Sequence, residues 1–264
     1  MSKTTKKVDT SIISIGDIHG HDTWKAGLNY WRPEEEKTLV DQFDKIVFIG
    51  DYVDDFDKTD NEIYNNFIEI IELKKKYPEK VILLLGNHDV QYFIESQKGN
   101  ASGFRKSMYL RLKELFTQNE KLFQIAYQYK NYLWTHAGIH RGWYQLNIAE
   151  QTHVFRNGEK SEYLEIDKSG NIADTLNFCF ETRHQPIFDC GLIRGGKQKV
   201  GGPLWADFNE VYNKPLLGYH QIIGHTRRKK INHYENYKGD TSTTFIDCLS
   251  ITNEYKDNFY ILNI

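Results

Sequence analysis

Three short, mainly apolar runs in the first third of the sequence each end at a glycine that is followed by polar side chains. The runs Ser11–Ile15, Lys45–Ile49 and Val81–Leu85 lead into Gly16-Asp17-Ile18-His19-Gly20, Gly50-Asp51-Tyr52-Val53-Asp54 and Gly86-Asn87-His88-Asp89. Short apolar runs bounded by glycine are typical of buried strands. Because sites in parallel α/β sheets form beyond the carboxyl ends of the strands, the three polar segments are predicted to converge on one site.

The rest of the chain alternates less regularly between helical and strand patterns. A helical period of apolar residues covers Asn61–Tyr77, so the first half predicts a mainly parallel α/β sheet. The further predictions are helices at Asp22–Trp31 and Gly103–Phe116, a hairpin of Phe123–Tyr129 with Tyr132–His136, strands at Tyr219–Ile223, Thr243–Asp247 and Phe259–Leu262, a loop at Asn157–Asn171, and a loop over the site at Gly191–Gly202. No repeat or linker interrupts the sequence, and we expect a single domain over residues 1–264.

Composition and charge argue against several classes of protein. The chain has 34 Lys and Arg against 36 Asp and Glu, so no overall charge favours binding to nucleic acid or to a membrane surface. No apolar stretch approaches the roughly 20 residues that cross a bilayer. The cysteines Cys179, Cys190 and Cys248 form no CxxC pair, which argues against a disulfide scaffold and a zinc-thiolate site. We therefore expect a soluble protein of a reducing, cytoplasmic compartment, without membrane partners.

Two more histidines follow apolar runs later in the chain. His136 stands in Thr135-His136-Ala137-Gly138, and His225 stands in Gly224-His225-Thr226-Arg227. Together with the first three segments they supply the candidate metal ligands Asp17, His19, Asp51, Asn87, His136 and His225. Imidazole mixed with oxygen donors suits Mn²⁺, Fe, Zn²⁺ or Ni²⁺ and is too rich in imidazole for a Ca²⁺ cage. These donors are too many for one tetrahedral zinc, so we predict two divalent metal ions that share a carboxylate.

All five segments, in this order, resemble the motifs GDxH, GDxxD, GNH(E/D) and two later histidine motifs of the calcineurin-like metallophosphoesterase superfamily. The resemblance implies an α/β sandwich of two mixed β-sheets flanked by helices, with a dimetal site at the carboxyl-terminal ends of the strands. The GHT and THAG segments, with Pro203-Leu204-Trp205-Ala206-Asp207, are most similar to the phosphoprotein phosphatase branch. That branch includes bacterial serine/threonine phosphatases and symmetrical dinucleotide tetraphosphatases.

The resemblance also implies a role for each matching residue. Asp17 and His19 would bind the first metal, Asp51 would bridge both, and Asn87, His136 and His225 would complete the second, with Mn²⁺ the first choice of ion. A hydroxide that bridges the two cations would attack phosphorus. His88 would be the general acid to the leaving oxygen, and Asp54 would orient His88.

Two departures from that branch concern the arginines that bind phosphate. The second motif continues into Asp55, where the branch usually has arginine, and Leu85 stands where an arginine often precedes GNHE. Arg105 and Arg194 are the candidate phosphate ligands in their place, because arginine makes bidentate contacts with phosphate.

The predicted function is hydrolysis of phosphomonoesters, on a phosphoprotein or a small phosphorylated metabolite. Alternatives among enzymes are a dinucleotide polyphosphate hydrolase and a phosphodiesterase. Arg227 stands where many diesterases and nucleases of the superfamily have the second histidine of GHxH, which weighs against a nuclease and against nucleic acid as a partner. A non-catalytic binding module of the same fold is the remaining alternative, and the retained Asn87-His88 pair and metal ligands weigh against it.

Overall fold

The computed structural model describes residues 10–29, 39–156, 159–248 and 259–264. The strands in these ranges are β1 (Ser11–Ile15), β2 (Lys45–Phe48), β3 (Val81–Leu84), β4 (Phe123–Gln124), β5 (Ala126–Tyr129), β6 (Tyr132–Thr135), β7 (His153–Arg156), β8 (Glu159–Glu165), β9 (His220–Ile223), β10 (Asn232–Glu235), β11 (Ser242–Phe245) and β12 (Phe259–Asn263). The α-helices are α1 (Thr23–Asn29), α2 (Leu39–Gln42), α3 (Asp60–Lys76), α4 (Asn87–Val90), α5 (Tyr109–Gln118), α6 (Arg141–Tyr144), α7 (Ile172–Glu181) and α8 (Phe208–Asn213). Among the helices of the described ranges, none has the length and apolar character needed to cross a membrane.

The strands form two five-stranded sheets and a separate two-stranded ribbon of β7 and β8. The first sheet has the order β12-β1-β2-β3-β4, in which β1 to β4 run parallel and β12 runs antiparallel to β1. The second has the order β10-β11-β9-β6-β5, in which β11, β9 and β6 run parallel and both edge strands run antiparallel to their neighbours. Both sheets are therefore mixed, which confirms the predicted fold class.

The two sheets pack face to face through alternate side chains of their strands. Ile12 and Val47 of the first sheet belong to one buried cluster with Trp134 and Ile222 of the second. Trp134 Nε1 donates a hydrogen bond across this interface to Ser14 Oγ at 2.8 Å. Burying a large apolar side chain contributes about 1.5–3 kcal/mol, so the side chains of this layer hold the two sheets together. The packing therefore fixes the position of the strand ends of one sheet relative to those of the other.

Helix α3 covers the outer face of the first sheet and follows the sequence prediction to within one residue. It begins after Thr59, whose side chain accepts from Glu62 N while the Glu62 side chain accepts from Thr59 N, a capping box. Its buried residues include Ile63, Phe67 and Ile70, which belong to the same apolar cluster as the outward side chains of β1. The apolar period of the sequence therefore becomes the face that covers the sheet.

The predicted strand Phe123–Tyr129 is divided between the two sheets. Its first part is β4, which pairs with β3, and its second part is β5, which forms the predicted hairpin with β6. The chain crosses over at Ile125, where the Asn177 side-chain oxygen accepts from Ile125 N and Ala126 N, both at 3.0 Å. One continuous run in the sequence therefore joins the two sheets.

Two other predictions differ from the structure. The loop prediction for Asn157–Asn171 is wrong over β8, which pairs with β7. This strand lacks the alternation of apolar and polar residues that identifies a strand in a sequence, and its Tyr163 is exposed. Residues 157–158 lie outside the described ranges. The helix predicted from Gly103 begins at Tyr109, after a 3₁₀ turn, because Gly103 has a φ of +74° that no α-helix contains. Helix α1 lies inside the predicted Asp22–Trp31, whose last two residues are outside the described ranges.

Candidate metal centre

Each candidate metal ligand lies just beyond the carboxyl end of a strand, at one edge of the sandwich. β1 leads to Asp17 and His19, β2 to Asp51, β3 to Asn87, β6 to His136 and β9 to His225. The first two loops are joined by their backbones, because Ile18 N and His19 N donate to Asp51 O at 3.1 and 2.6 Å. The two histidines of the second sheet are neighbours, because Gly224 N donates to His136 O at 2.8 Å. The predicted convergence of all five segments is therefore present.

The loops that carry these residues are conformationally strained. Within the described ranges, six non-glycine residues have a positive φ, and four of them are His19, Asp51, Asp54 and His225, with values of 45°, 50°, 64° and 63°. Such left-handed conformations are uncommon in L-residues and cost on the order of 1–3 kcal/mol each. Strain that is concentrated on four neighbouring polar residues indicates a functional site rather than accidental turns.

Two glycines leave room for the carboxylates of the site. A Cβ atom on Gly86 would collide with Asp51 Oδ1 and would lie 2.7 Å from His136 Cε1. A Cβ atom on Gly224 would collide with Asp17 Oδ1 and would lie 2.7 Å from Ile49 Cγ2. The glycines of the third and fifth sequence motifs are therefore required by the close approach of acidic side chains.

His136 is fully buried, and its two ring nitrogens face different groups. Nδ1 lies 3.0 Å from the carbonyl oxygen of Ile49, which can only accept, so we assign a proton to Nδ1. In the neutral ring Nε2 then carries a lone pair, and it lies 3.0 Å from Asn87 Oδ1, 3.3 Å from Asp51 Oδ2 and 3.2 Å from His225 Nδ1. Lone pairs that converge in this way repel one another, and a cation between them removes the repulsion.

His19 is oriented in the same way on the other side of Asp51. Its Nδ1 lies 3.1 Å from Val53 O and 2.7 Å from Asp54 O, both of which are acceptors, so Nδ1 carries the proton. Nε2 is left with its lone pair and lies 3.7 Å from Asp51 Oδ2. Backbone carbonyls that fix the tautomer of a histidine are typical of metal ligands.

Five histidine and aspartate side chains form two clusters that share Asp51, and Asp17 belongs to neither cluster. One consists of His19, Asp51 and His88, the other of Asp51, His136 and His225, and within each cluster the donor atoms lie within 4.8 Å of one another. His225 Nε2 is buried and has no hydrogen-bond partner among the described residues. A shared carboxylate, converging lone pairs and an unpartnered imidazole nitrogen fit two divalent cations on either side of Asp51.

The electrostatics of the site point the same way. Burial and the charges of Asp247 and Asp51 raise the pKa of Asp17 well above its usual value, although His225 N donates to its carboxylate. Burial and the neighbouring His136 lower the pKa of His225 well below its usual range, and burial also lowers the pKa of His19. Neutral imidazoles are the form that binds metals, and a bound cation favours ionised carboxylates.

His88 and Asp54 form a pair next to the first cluster. His88 Nδ1 lies 3.2 Å from Asp54 Oδ2, and the Asp54 carboxylate also accepts from Gln91 Nε2 and from the Tyr92 hydroxyl. Burial acts to lower the pKa of His88, but the charges of Asp51 and Asp54 outweigh it and raise the pKa to about 9. Nδ1 is held by Asp54, so Nε2 is the ring nitrogen available to the cleft.

Asp89 is a site residue to which sequence reasoning gave no role. Its carboxylate is fully buried and accepts three backbone N–H groups at 2.8 Å, from Asp51, Tyr52 and Gly86. These bonds tie the second ligand loop to the third and hold Asp51 in place. The acidic last position of the GNH(E/D) motif was the available signal.

The structure separates the two candidate phosphate arginines. The Arg105 guanidinium donates to the Asp60 carboxylate and to the carbonyl oxygens of Asp55 and Lys58, so it is directed into the loop before α3. Arg194 lines the cleft, with an ion pair of 2.9 Å from Nε to Asp207 Oδ2 and a hydrogen bond to Thr226. Of the two, the structure brings Arg194 to the metal ligands.

The Asp55 carboxylate also has partners. Asp55 Oδ2 lies 3.2 Å from His21 Nε2, and Oδ1 accepts from Asp57 N and Lys58 N at 2.7 and 2.9 Å. The hydrogen bond with Asp57 N and the nearby His21, acting against burial, hold its pKa below the usual value, so the group is ionised. The negative charge that Asp55 brings to the cleft is therefore partly compensated by His21 and by two backbone N–H groups.

The cleft over the ligands has a volume of about 440 Å³ and is open to solvent. Its lining includes the candidate ligands His19, Asp51, Asn87 and His225, and also Ser102, Arg194, Trp205, Arg227 and Asp247. Arg227 is exposed and Asp247 is buried. The cleft therefore combines buried carboxylates with cationic groups from residues 194 and 227.

The family model of calcineurin-like phosphoesterases matches residues 10–228 of the chain. The match spans all five motifs and every side chain of the two clusters, and the protein belongs to the calcineurin-like phosphoesterase family. No curated protein matches the sequence significantly.

A solved structure agrees with this assignment at the level of the fold. The crystal structure of a cold-active protein-tyrosine phosphatase of a psychrophilic Shewanella species is similar, with a TM-score of 0.55, 13% sequence identity, and coverage of 96% of this chain and 75% of that one. A protein serine/threonine phosphatase from Saccharomyces cerevisiae has 18% identity, coverage of 98% and 81%, and a TM-score of 0.46. A TM-score as low as the second one does not establish a common fold.

Proposed function

We propose that the protein is a dimetal-dependent phosphatase that hydrolyses phosphomonoesters of a phosphoprotein or a small phosphorylated metabolite. The observation that carries the proposal is the arrangement around Asp51, where two clusters of metal-binding donors meet at one carboxylate and the His88–Asp54 pair stands beside them. In this proposal Asp17, His19 and Asp51 hold the first cation, and Asp51, Asn87, His136 and His225 hold the second.

When bound, two divalent cations supply an activated water and neutralise charge on the phosphoryl oxygens. The chain's own residues orient the substrate and move the proton. Asp54 holds Nδ1 of His88, so Nε2 is directed at the cleft and donates its proton to the leaving oxygen. Gln91 and Tyr92 fix Asp54 in turn. Arg194, held over the cleft by Asp207, contacts the phosphate.

The finer assignments belong to the same proposal. Mn²⁺ is the first choice of ion, and Fe, Zn²⁺ and Ni²⁺ are alternatives because this donor set accepts each of them. The chain acts as a single domain in the cytoplasm. Its partner is a phosphorylated substrate rather than nucleic acid, because its overall charge is close to balanced.

The test is phosphatase activity of the purified protein on p-nitrophenyl phosphate and bis-p-nitrophenyl phosphate, with EDTA treatment and then Mn²⁺ added back. We expect EDTA to abolish cleavage of the monoester and Mn²⁺ to restore it. Cleavage that favours the diester would support the phosphodiesterase alternative. A protein that binds two metals but cleaves neither compound would be assayed on dinucleotide polyphosphates, and failure there also would contradict the proposed catalysis and leave a binding module.

A further inference from the structure

One buried carboxylate of the cleft has no role in the function proposed above. Asp247 follows β11 as His225 follows β9, because Phe245 pairs with Ile223 in parallel register and Ile246 N donates to Ile223 O at 2.8 Å. Its backbone lies against the turn that carries Asp17, since a Cβ atom on Gly16 would lie 3.4 Å from Asp247 Cα. Asp247 is therefore placed at the same edge of the sandwich as the metal ligands.

The side chain of Asp247 is buried but unpaired. It is 3% exposed and lines the cleft, and among the described residues its carboxylate has no hydrogen-bond or ion-pair partner. Asp89 is the informative contrast, because it is equally inaccessible and accepts three backbone N–H groups. The charges of Arg227 and Arg194 lower its pKa, but neither side chain forms an ion pair with it, and burial outweighs them. A buried carboxylate without hydrogen bonds or an ion-pair partner is disfavoured, so this side chain is available to bind a cation.

The charges of Asp247 and its acidic neighbours also affect one another. Burial and the charge of Asp51 raise the pKa of Asp247 to about 6. After burial, the charge of Asp247 is the largest cause that raises the pKa of Asp17. The two carboxylates repel each other, and a cation close to both would stabilise them.

The two metal positions also differ in their number of donors. In the proposed function Asp17, His19 and Asp51 serve the first position, whereas four side chains serve the second. The chain has Arg227 in place of a second histidine after His225, and the Arg227 side chain is exposed. The first position thus has one side-chain donor fewer than the second.

We propose that Asp247 is an additional carboxylate ligand of the first metal position, beside Asp17 and His19. The inference rests on the dimetal site of the proposed function. It has a consequence for the choice of ion, because carboxylate-rich sites suit Mn²⁺ and Mg²⁺ better than sites rich in imidazole do. The first position therefore prefers Mn²⁺, and the second, with two histidines, tolerates Zn²⁺.

The experiment compares Mn²⁺ binding and thermal unfolding of the metal-free protein in wild type, Asp247→Asn and Asp247→Ala. Calorimetric titration should show two Mn²⁺ sites in wild type and at least tenfold weaker binding at one site in both variants. Without metal, Asp247→Asn should unfold at the same or a higher temperature than wild type, because a repulsive charge is removed. The rise in unfolding temperature that Mn²⁺ produces should be smaller in both variants than in wild type.

The control variant Asp189→Asn and the number of Mn²⁺ ions bound by wild type separate the possible failures. Asp189→Asn changes a half-buried carboxylate that contacts Gln185 outside the ligand set, and it should keep wild-type Mn²⁺ binding. If wild type itself binds fewer than two Mn²⁺ ions, the proposed dimetal function fails. If wild type and Asp247→Asn both bind two ions with equal affinity, the role of Asp247 alone is overturned. A metal-free Asp247→Asn variant that is less stable, with an unchanged response to Mn²⁺, would also overturn it and indicate a structural role.

Discussion

Two parts of the molecule face the cleft, and they are held in different ways. The ligand loops, residues 16–20, 50–54 and 86–89, are tied together by backbone hydrogen bonds and by the buried Asp89 carboxylate. The cover segment, residues 190–207, carries Leu192 and Ile193 exposed to solvent and holds Arg194 over the cleft through Asp207. The proposed metal ligands therefore lie on turns held by many hydrogen bonds, whereas Arg194, the proposed phosphate contact, lies on a more exposed segment.

The largest expected effect comes from replacing a glycine of the ligand loops, and a glycine of the cover segment serves for comparison. Gly86→Ala places a methyl group where Asp51 Oδ1 lies, so the shared carboxylate must move. We expect this variant to lose at least one bound metal and to fall to background activity. Gly195→Ala in the cover segment has a φ of +82° but no atom within 4 Å of the new methyl group. It should cost about 1 kcal/mol of stability from backbone strain and keep both metals.

Metal content by elemental analysis and activity on p-nitrophenyl phosphate measure this pair. Far-ultraviolet circular dichroism shows whether each variant is folded. Full metal content in Gly86→Ala would contradict the claim that the ligand loops hold the shared carboxylate in place. Loss of metal in Gly195→Ala would show that the cover segment also supports the metals.

The next largest effect concerns the pair beside the first cluster. His88→Ala should lower kcat by about 10²–10⁴ with unchanged metal content, because it removes the proton donor without removing a proposed ligand. Asp54→Asn should have a smaller effect, about 10- to 100-fold, because it acts only through the orientation of His88. Elemental analysis of the same samples tests whether His88 is a proton donor rather than a metal ligand. Loss of metal from His88→Ala would show that His88 is a ligand, which its place in the first donor cluster allows.

A smaller effect separates the two arginines. Arg194→Gln removes a charged contact from the cleft and should raise KM for p-nitrophenyl phosphate by about tenfold or more, in line with hydrogen bonds to charged groups. Arg105→Gln is the matched control, and it should lower stability and leave KM unchanged, because its guanidinium contacts Asp60 and two carbonyl groups. Steady-state kinetics measure KM, and urea unfolding measures the stability of both variants. The reverse result would restore Arg105 as the phosphate ligand.

The ligand loops could be predicted from the sequence because their constraints are local. A glycine at the end of an apolar run, followed by an acidic or amide side chain, specifies both the turn and the ligand, as at Gly50-Asp51. The parallel strand order then brings the loops together. Neither the role of Asp89 nor the proposed role of Asp247 could be predicted from the sequence, because the burial of a carboxylate and its hydrogen-bond partners are visible only in the folded chain.

The chain beyond the third ligand loop was harder to predict, because contacts with distant residues determine its structure. Arg105 is directed away from the cleft by Asp60, which lies 45 residues earlier. Helix α7 begins inside a segment of polar residues, where the side chains of Asn171 and Asp174 form a capping box. Strand β8 is recognised only by its pairing with β7, since its side chains are largely polar. Local patterns do not contain such contacts.

The smallest effect on activity is expected in the region that precedes the cover segment, where a substitution should change stability instead. His184 is buried after α7, its Nδ1 accepts from Phe155 N at 3.0 Å, and its Nε2 donates to Asn147 O at 3.0 Å. Burial lowers the pKa of His184, so the folded protein favours the neutral ring that these bonds require. The stability it contributes is therefore complete above the unfolded pKa of about 6.5 and is lost as pH falls toward the lowered folded pKa.

We expect His184→Asn to lose about 1–3 kcal/mol at pH 7, because at least one buried backbone group loses its partner. Its free energy of unfolding should depend less on pH between about pH 7 and 5 than that of wild type, since the titrating ring is gone. Urea unfolding at several pH values measures both quantities, and His153→Asn in the neighbouring strand β7 controls for replacement of a histidine. Equal pH dependence in wild type and His184→Asn would show that this ring does not link pH to stability. The ligand loops and the cover segment with its preceding region would then differ only in their exposure to solvent.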